Sequence, residues 1–202
     1  MCGRFLLNPA ENAEIAQILQ QIVNKGFEVK IGEVFPSEQI AVLTAGEQQR
    51  VLGSGMSWGF DTIKGDKKLI NARAETVLDK PTFQRAFLEN RCIILTTGFF
   101  EWNKHKAKFR FNLAETEALY LAGFWQQTAA GNQTIILTTS SNDSAQIREV
   151  HDRMPLILAK SDLRRWLFDR EFAVQYLSKQ MPDLTRKLEN KKENGQMSLF
   201  EK

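Results

Sequence analysis

The sequence predicts an α+β fold in which a curved, largely antiparallel sheet carries helices at its periphery. Three observations point there. Strand-like apolar runs crowd residues 91–141, helical periodicity is confined to the flanking segments, and no strand–helix–strand alternation, internal repeat or heptad pattern appears. At 202 residues, 43% hydrophobic and 25% charged, the chain suffices for one domain with a sizeable core.

Along the chain, Asn8-Pro9 followed by Ile15, Ile18, Leu19, Ile22 and Val23 supplies a cap, a first-turn proline and a 3.6-residue stripe that stops at Gly26. This predicts a surface helix. Between residues 40 and 58, Ile40-Ala41-Val42-Leu43 and Val51-Leu52 read as strands, and Pro81 opens a short helix through Phe83, Ala86 and Phe87. Strands are predicted over 92–97, 98–102, 108–113, 118–126 and 134–140, with Gly98, Gly123 and Gly131 at bends or turns. Helices follow over 143–150 and 162–168, with Pro155-Leu156-Ile157-Leu158 as a strand between them. The organisation expected is one domain over 1–188 and a flexible polar tail over 189–202.

No run approaches the roughly 18 apolar residues of a membrane span. Met1-Cys2-Gly3-Arg4-Phe5 lacks the charged and apolar regions of a secretory signal, so a cytoplasmic, non-membrane protein is expected. Of the two cysteines, Cys92 lies in the apolar run Cys92-Ile93-Ile94-Leu95 and reads as a buried strand residue rather than half of a disulfide. Lys and Arg outnumber Asp and Glu by 11 to 6 within residues 61–110, as they would where a polyanion approaches, although a lysine-rich loop facing water accounts for the same excess.

Cys2 carries the most specific chemistry. Once the initiator methionine is removed, its α-amine and thiol form a 1,2-aminothiol, which condenses with an aldehyde to a Schiff base and then closes a thiazolidine ring. The competing reading is an incidental residue at a frayed terminus. In Asn71-Ala72-Arg73-Ala74-Glu75-Thr76 the polar residues alternate with alanine, so an extended strand puts Asn71, Arg73 and Glu75 on one face. That face serves either a carbonyl and a phosphate or only solvent and an ion pair. Glu101 is the lone carboxylate in Gly98-Phe99-Phe100-Glu101-Trp102, a setting for a general acid or base or for a buried ion pair. His105 lies in a basic turn, whereas His151 precedes an apolar strand and is the better acid/base candidate. Two histidines and two cysteines without ligand spacing predict no zinc site, and no cofactor is expected.

Taken together and in this order, Met1 to Phe5, Asn71 to Thr76, Gly98 to Trp102 and His151-Asp152-Arg153-Met154-Pro155 resemble the SRAP (SOS response-associated peptidase) family over nearly the whole globular chain. Phe100 stands where the family pattern often has Tyr. The resemblance implies a barrel-like sheet and a sensor of abasic sites in single-stranded DNA that crosslinks through its terminal cysteine, shielding the lesion and carrying AP-lyase chemistry. It implies Cys2 as nucleophile, Asn71 as the residue orienting that cysteine and the sugar, Glu101 as acid/base for ring opening, and His151 as proton carrier at the sugar oxygens. Arg4, Arg73 and Arg153 become candidates for phosphate contacts, and Trp58 for packing on a base or the backbone at a strand kink. A thiol autopeptidase using Cys2, Glu101 and His151 is the alternative, and a monomer is expected. In the tail, Gln196-Met197-Ser198-Leu199-Phe200 is similar to the short peptides by which bacterial repair proteins dock on the sliding clamp; a tail folding back on its own surface is the other reading.

Overall fold

The computed structural model describes residues 2–62, 65, 67–113 and 118–189. The clamp-like peptide 196–200 therefore lies outside the described residues, as does the expected tail beyond Glu189. In chain order the elements are β1 (Phe5–Leu7), α1 (Ala13–Asn24), β2 (Gly32–Val34), β3 (Gln39–Ala45), β4 (Val51–Trp58), β5 (Phe60–Asp61), β6 (Lys68–Leu69), β7 (Asn71–Arg73), α2 (Pro81–Glu89), β8 (Arg91–Thr96), β9 (Gly98–Trp102) and β10 (Lys108–Asn112). They continue as β11 (Leu119–Thr128), β12 (Gly131–Ser140), α3 (Ala145–Arg148), β13 (Arg153–Pro155), β14 (Ile157–Leu158), α4 (Leu163–Phe168), α5 (Arg170–Tyr176) and β15 (Thr185–Leu188). The α+β class with a barrel-like sheet is what the chain adopts.

The barrel runs β4, β3, β8, β11, β12, each antiparallel to the next, and closes where β12 meets β4 in parallel, Thr134 beside Trp58. Its wall is tight at Gly123, where an added Cβ would sit 2.6 Å from the Ile135 carbonyl oxygen and 2.6 Å from Ile94 Cδ1. A side chain there has no room. Beyond β4, the β5–β6 hairpin returns the chain to the same edge of β12, along which β7 continues in parallel with Asn71 beside Ile136. The antiparallel strand β13 pairs with the same end of β12, so Thr138 is flanked by Arg73 and by Pro155.

A second sheet has the order β15-β10-β9-β1-β2 and is antiparallel throughout. The two sheets meet through Phe5 of β1, whose ring lies 5.2 Å from that of Trp58. Both side chains are fully buried, and such aromatic contacts dominate core energetics. Cys92 is also buried, its Sγ 3.1 Å from Thr134 Oγ1, and both cysteines are free.

Several boundaries differ from the sequence-based expectation. Asn8 caps only a 3-10 turn, Pro9–Glu11, and the cap of α1 is Asn12, whose Oδ1 accepts from the Ile15 amide at 2.9 Å. The helix expected over 143–150 contracts to the single turn of α3, and the strand expected over 155–158 divides into β13 and β14, which pair with opposite neighbours around Leu156. Among the described residues, no helix is long and apolar enough to cross a membrane.

Candidate functional site

Strand β1 lies between β9 and β2, so the residues ahead of it are drawn along β9 towards Glu101; the Phe100 amide donates to the Arg4 carbonyl at 2.9 Å. Cys2 is consequently 0% exposed. Its carbonyl oxygen accepts a 2.9 Å hydrogen bond from Asn71 Nδ2, and its thiol is directed at the Arg4 carbonyl, 3.8 Å away. Asn71 opens β7, which is held by β12, so this bond reaches from the barrel to the second sheet. The other amide atom, Asn71 Oδ1, is buried and accepts no hydrogen bond among the described residues. An orphaned acceptor of this kind costs free energy until a donor arrives.

Glu101 is 4% exposed on β9. Burial pushes its carboxyl above the ordinary range, and the positive form of His151 acts in the opposite sense, which sets the two side chains within electrostatic reach. Burial also pushes the Cys2 thiol far upward, with the Glu101 charge adding to the rise. His151 lies in the loop after α3; its Nδ1 accepts from the Arg153 amide at 3.0 Å, and Asp152 Oδ1 lies 3.0 Å from the same nitrogen.

The chain therefore brings Cys2, Asn71, Glu101 and His151 together from four separate segments. The arginines take different positions. Arg153 forks onto Glu75 at 2.6 and 2.9 Å and also donates to the Thr138 carbonyl at 2.7 Å, clasping both flanks of β12. Arg73, the last residue of β7, is exposed. Arg4 donates to Glu33 at 3.1 Å, with its guanidinium 4.0 Å from the Phe35 ring centroid and 5.1 Å from that of Trp102.

Trp58 has 0% exposure, with its indole N–H donating to the Ile70 carbonyl at 3.0 Å. One expectation needs correction. The single strand expected over Asn71 to Thr76 ends at Arg73, and Ala74–Thr76 form a 3-10 turn. That turn is what delivers Glu75 to Arg153.

Sequence reasoning did not single out Glu33, Phe35 or Lys108. The same Glu33 oxygen that receives Arg4 also receives Lys108 Nζ at 2.7 Å, and that ammonium stands 3.9 Å from the Phe100 ring centroid. The only local signal was the Phe35-Pro36 pair in a loop and the basic run ending at Lys108. Among the described residues, no cluster of three or more His, Cys, Asp or Glu side chains could hold a metal ion.

Comparison with known proteins adds an independent line. The family model described as SOS response associated peptidase (SRAP) matches residues 1–193. Abasic site processing protein YoaM of Bacillus subtilis (strain 168) is 34% identical over 193 residues, covering 88% of this chain and 83% of that protein. Abasic site processing protein YedK of Escherichia coli (strain K12) is 26% identical over 178 residues, covering 83% of this chain and 79% of its own. In fold, the chain is similar to a crystal structure of a protein from Bordetella bronchiseptica, with a TM-score of 0.73 at 20% identity over 94% of this chain and 100% of that one.

Proposed function

This chain belongs to the SOS response associated peptidase (SRAP) family, and from that premise we propose that it processes abasic sites in single-stranded DNA by bonding Cys2 covalently to the ring-opened sugar. The observation that carries the reading is the tether between Asn71 and Cys2, which fixes the first residues beside Glu101 and His151. A group that must react through its own amine and thiol has to be held, not frayed.

In the proposed sequence, removal of Met1 gives Cys2 the free α-amine. Glu101, kept protonated more readily than an ordinary carboxyl by burial, donates to the sugar ring oxygen as the aldehyde opens. The amine nitrogen adds to the aldehyde carbon, and the carbinolamine loses water to give a Schiff base. The thiol sulfur then bonds to the same carbon while its proton passes to nitrogen, closing the thiazolidine with one water released overall. Delayed closure leaves the Schiff base open to β-elimination, the AP-lyase branch. Asn71 Oδ1 is an acceptor for a sugar hydroxyl, His151 Nε2 carries protons at the sugar oxygens, and Arg4, Arg73 and Arg153 are offered to the phosphates.

The peptidase alternative would use Cys2 as nucleophile with His151 and Glu101, and peptide turnover in the absence of DNA would favour it. The C-terminal peptide 196–200 is proposed as a tether to the sliding clamp; unchanged clamp co-elution after deletion of residues 195–202 would end that idea. The central test is a denaturing gel of processed protein with abasic single-stranded DNA. An adduct that survives denaturation and disappears in Cys2→Ala is expected; an adduct that persists in Cys2→Ala overturns the reading.

A further inference from the structure

Beside the Cys2 site, on the second sheet, aromatic rings and cations alternate from solvent inward. Phe35, 40% exposed, lies 4.0 Å from the Arg4 guanidinium; Trp102 lies 5.1 Å from the same guanidinium and 5.8 Å from Lys108 Nζ; Lys108 in turn covers Phe100. Rings interleaved with cations suit a strand that presents bases and phosphates in alternation. Charge neutralisation within this ladder is unusual. One oxygen, Glu33 Oε1, receives both Arg4 Nη1 at 3.1 Å and Lys108 Nζ at 2.7 Å. A non-bridging phosphate oxygen would make the same two contacts.

Resting on the reading that single-stranded DNA is the substrate, we infer that Glu33 is a displaceable counter-ion over a strand-binding ladder: a backbone phosphate takes its place between Arg4 and Lys108 while a neighbouring base stacks on Phe35. Glu33 holds the two cations apart from mutual repulsion when no strand is present. It sits on the edge strand β2 with its side chain partly open to water, so rotation outward needs no change of backbone. Part-exposed ion pairs are weak, and the exchange is correspondingly easy. A free anion gains only the ionic contact, whereas a strand gains the contact and the stack together. Phe35, not the enclosed Trp58, is then the residue that reads the presence of a neighbouring base.

The test uses the full chain in a Cys2→Ala background, so that covalent capture is absent, and follows the binding of an unmodified oligothymidylate by fluorescence anisotropy at several salt concentrations, with thermal melting to confirm folding. Glu33→Gln, which keeps the shape and removes the charge, is expected to tighten binding by about fivefold at low salt, the gain shrinking as salt rises. Phe35→Ala is expected to weaken binding by about tenfold, Phe35→Trp to restore it, and a strand of abasic spacers to be indifferent to either change. Weaker or unchanged binding in Glu33→Gln, or an equal loss on the spacer strand in Phe35→Ala, overturns the inference. If the Cys2→Ala parent binds the strand while both variants behave like it, this inference alone fails. If the parent binds no single strand at all, the functional reading fails with it.

Discussion

Asn71 Nδ2 donates a 2.9 Å hydrogen bond to the carbonyl oxygen of Cys2, joining positions 69 residues apart and two different sheets. Asn71→Ala should remove this tether at a modest cost in stability, about 1 kcal/mol, the usual net value of one such bond. Adduct formation should slow by about tenfold or more, because the cost falls on orientation. Single-turnover crosslinking alongside urea denaturation checks both numbers. A large stability loss with an unchanged rate would assign Asn71 to the fold alone.

Glu101 should leave a signature in stability against pH. Burial raises its carboxyl, so the folded chain binds that proton more tightly than the unfolded chain does. The associated stability is complete below the unfolded carboxylate value and is lost as pH rises through the folded one. Glu101→Gln, neutral throughout, should therefore gain in melting temperature relative to wild type as pH increases from about 4 towards 7. It should also slow crosslinking by about a hundredfold, a typical loss for a missing acid/base. A stability gap that narrows with rising pH would contradict the assignment.

Arg153 and Glu75 can be separated by a pair of variants. Arg153→Ala removes the fork onto Glu75 and the donor to the Thr138 carbonyl, and should cost about 2 kcal/mol. Glu75→Gln removes the charge of a partly exposed partner and should cost about 1 kcal/mol or less. Guanidinium denaturation of both is the check. Should Arg153 also serve a phosphate, Glu75→Gln will bind single-stranded DNA more tightly than wild type, having freed the fork.

Gly123→Ala should destabilise the barrel by about 2 kcal/mol or more. Its new methyl would meet the Ile135 carbonyl, a backbone atom of the neighbouring strand that cannot rotate away. The midpoint of chemical unfolding reports this directly, and a shift smaller than about 0.5 kcal/mol would mean that the wall is softer than the geometry implies.

Long periodic segments were readable without the structure. The stripe of α1, the apolar runs of β3, β8, β11 and β12, and Pro81 at the start of α2 all act through local pattern. Strands β1, β2, β7, β13 and β15, three or four residues each, carry too little pattern of their own and exist because a distant strand pairs with them. The same division holds at the site. Cys2, Glu101 and His151 drew notice through residue type and setting, and Asn71 through its alternation with alanine. Nothing local linked Glu33 to Lys108, 75 positions away, and the enclosure of Trp58 depends on its contact with the distant Phe5.

Cys2 hangs from one sheet, while Asn71 and His151 hang from the other. In the proposed reaction, reactivity is thus a measure of how the two halves are joined, as the aim of a pair of jaws depends on the hinge and not on the teeth. A change at Phe5 or its contact with Trp58 touches none of the reacting atoms, yet it would shift one half against the other and retune every distance that the chemistry relies on.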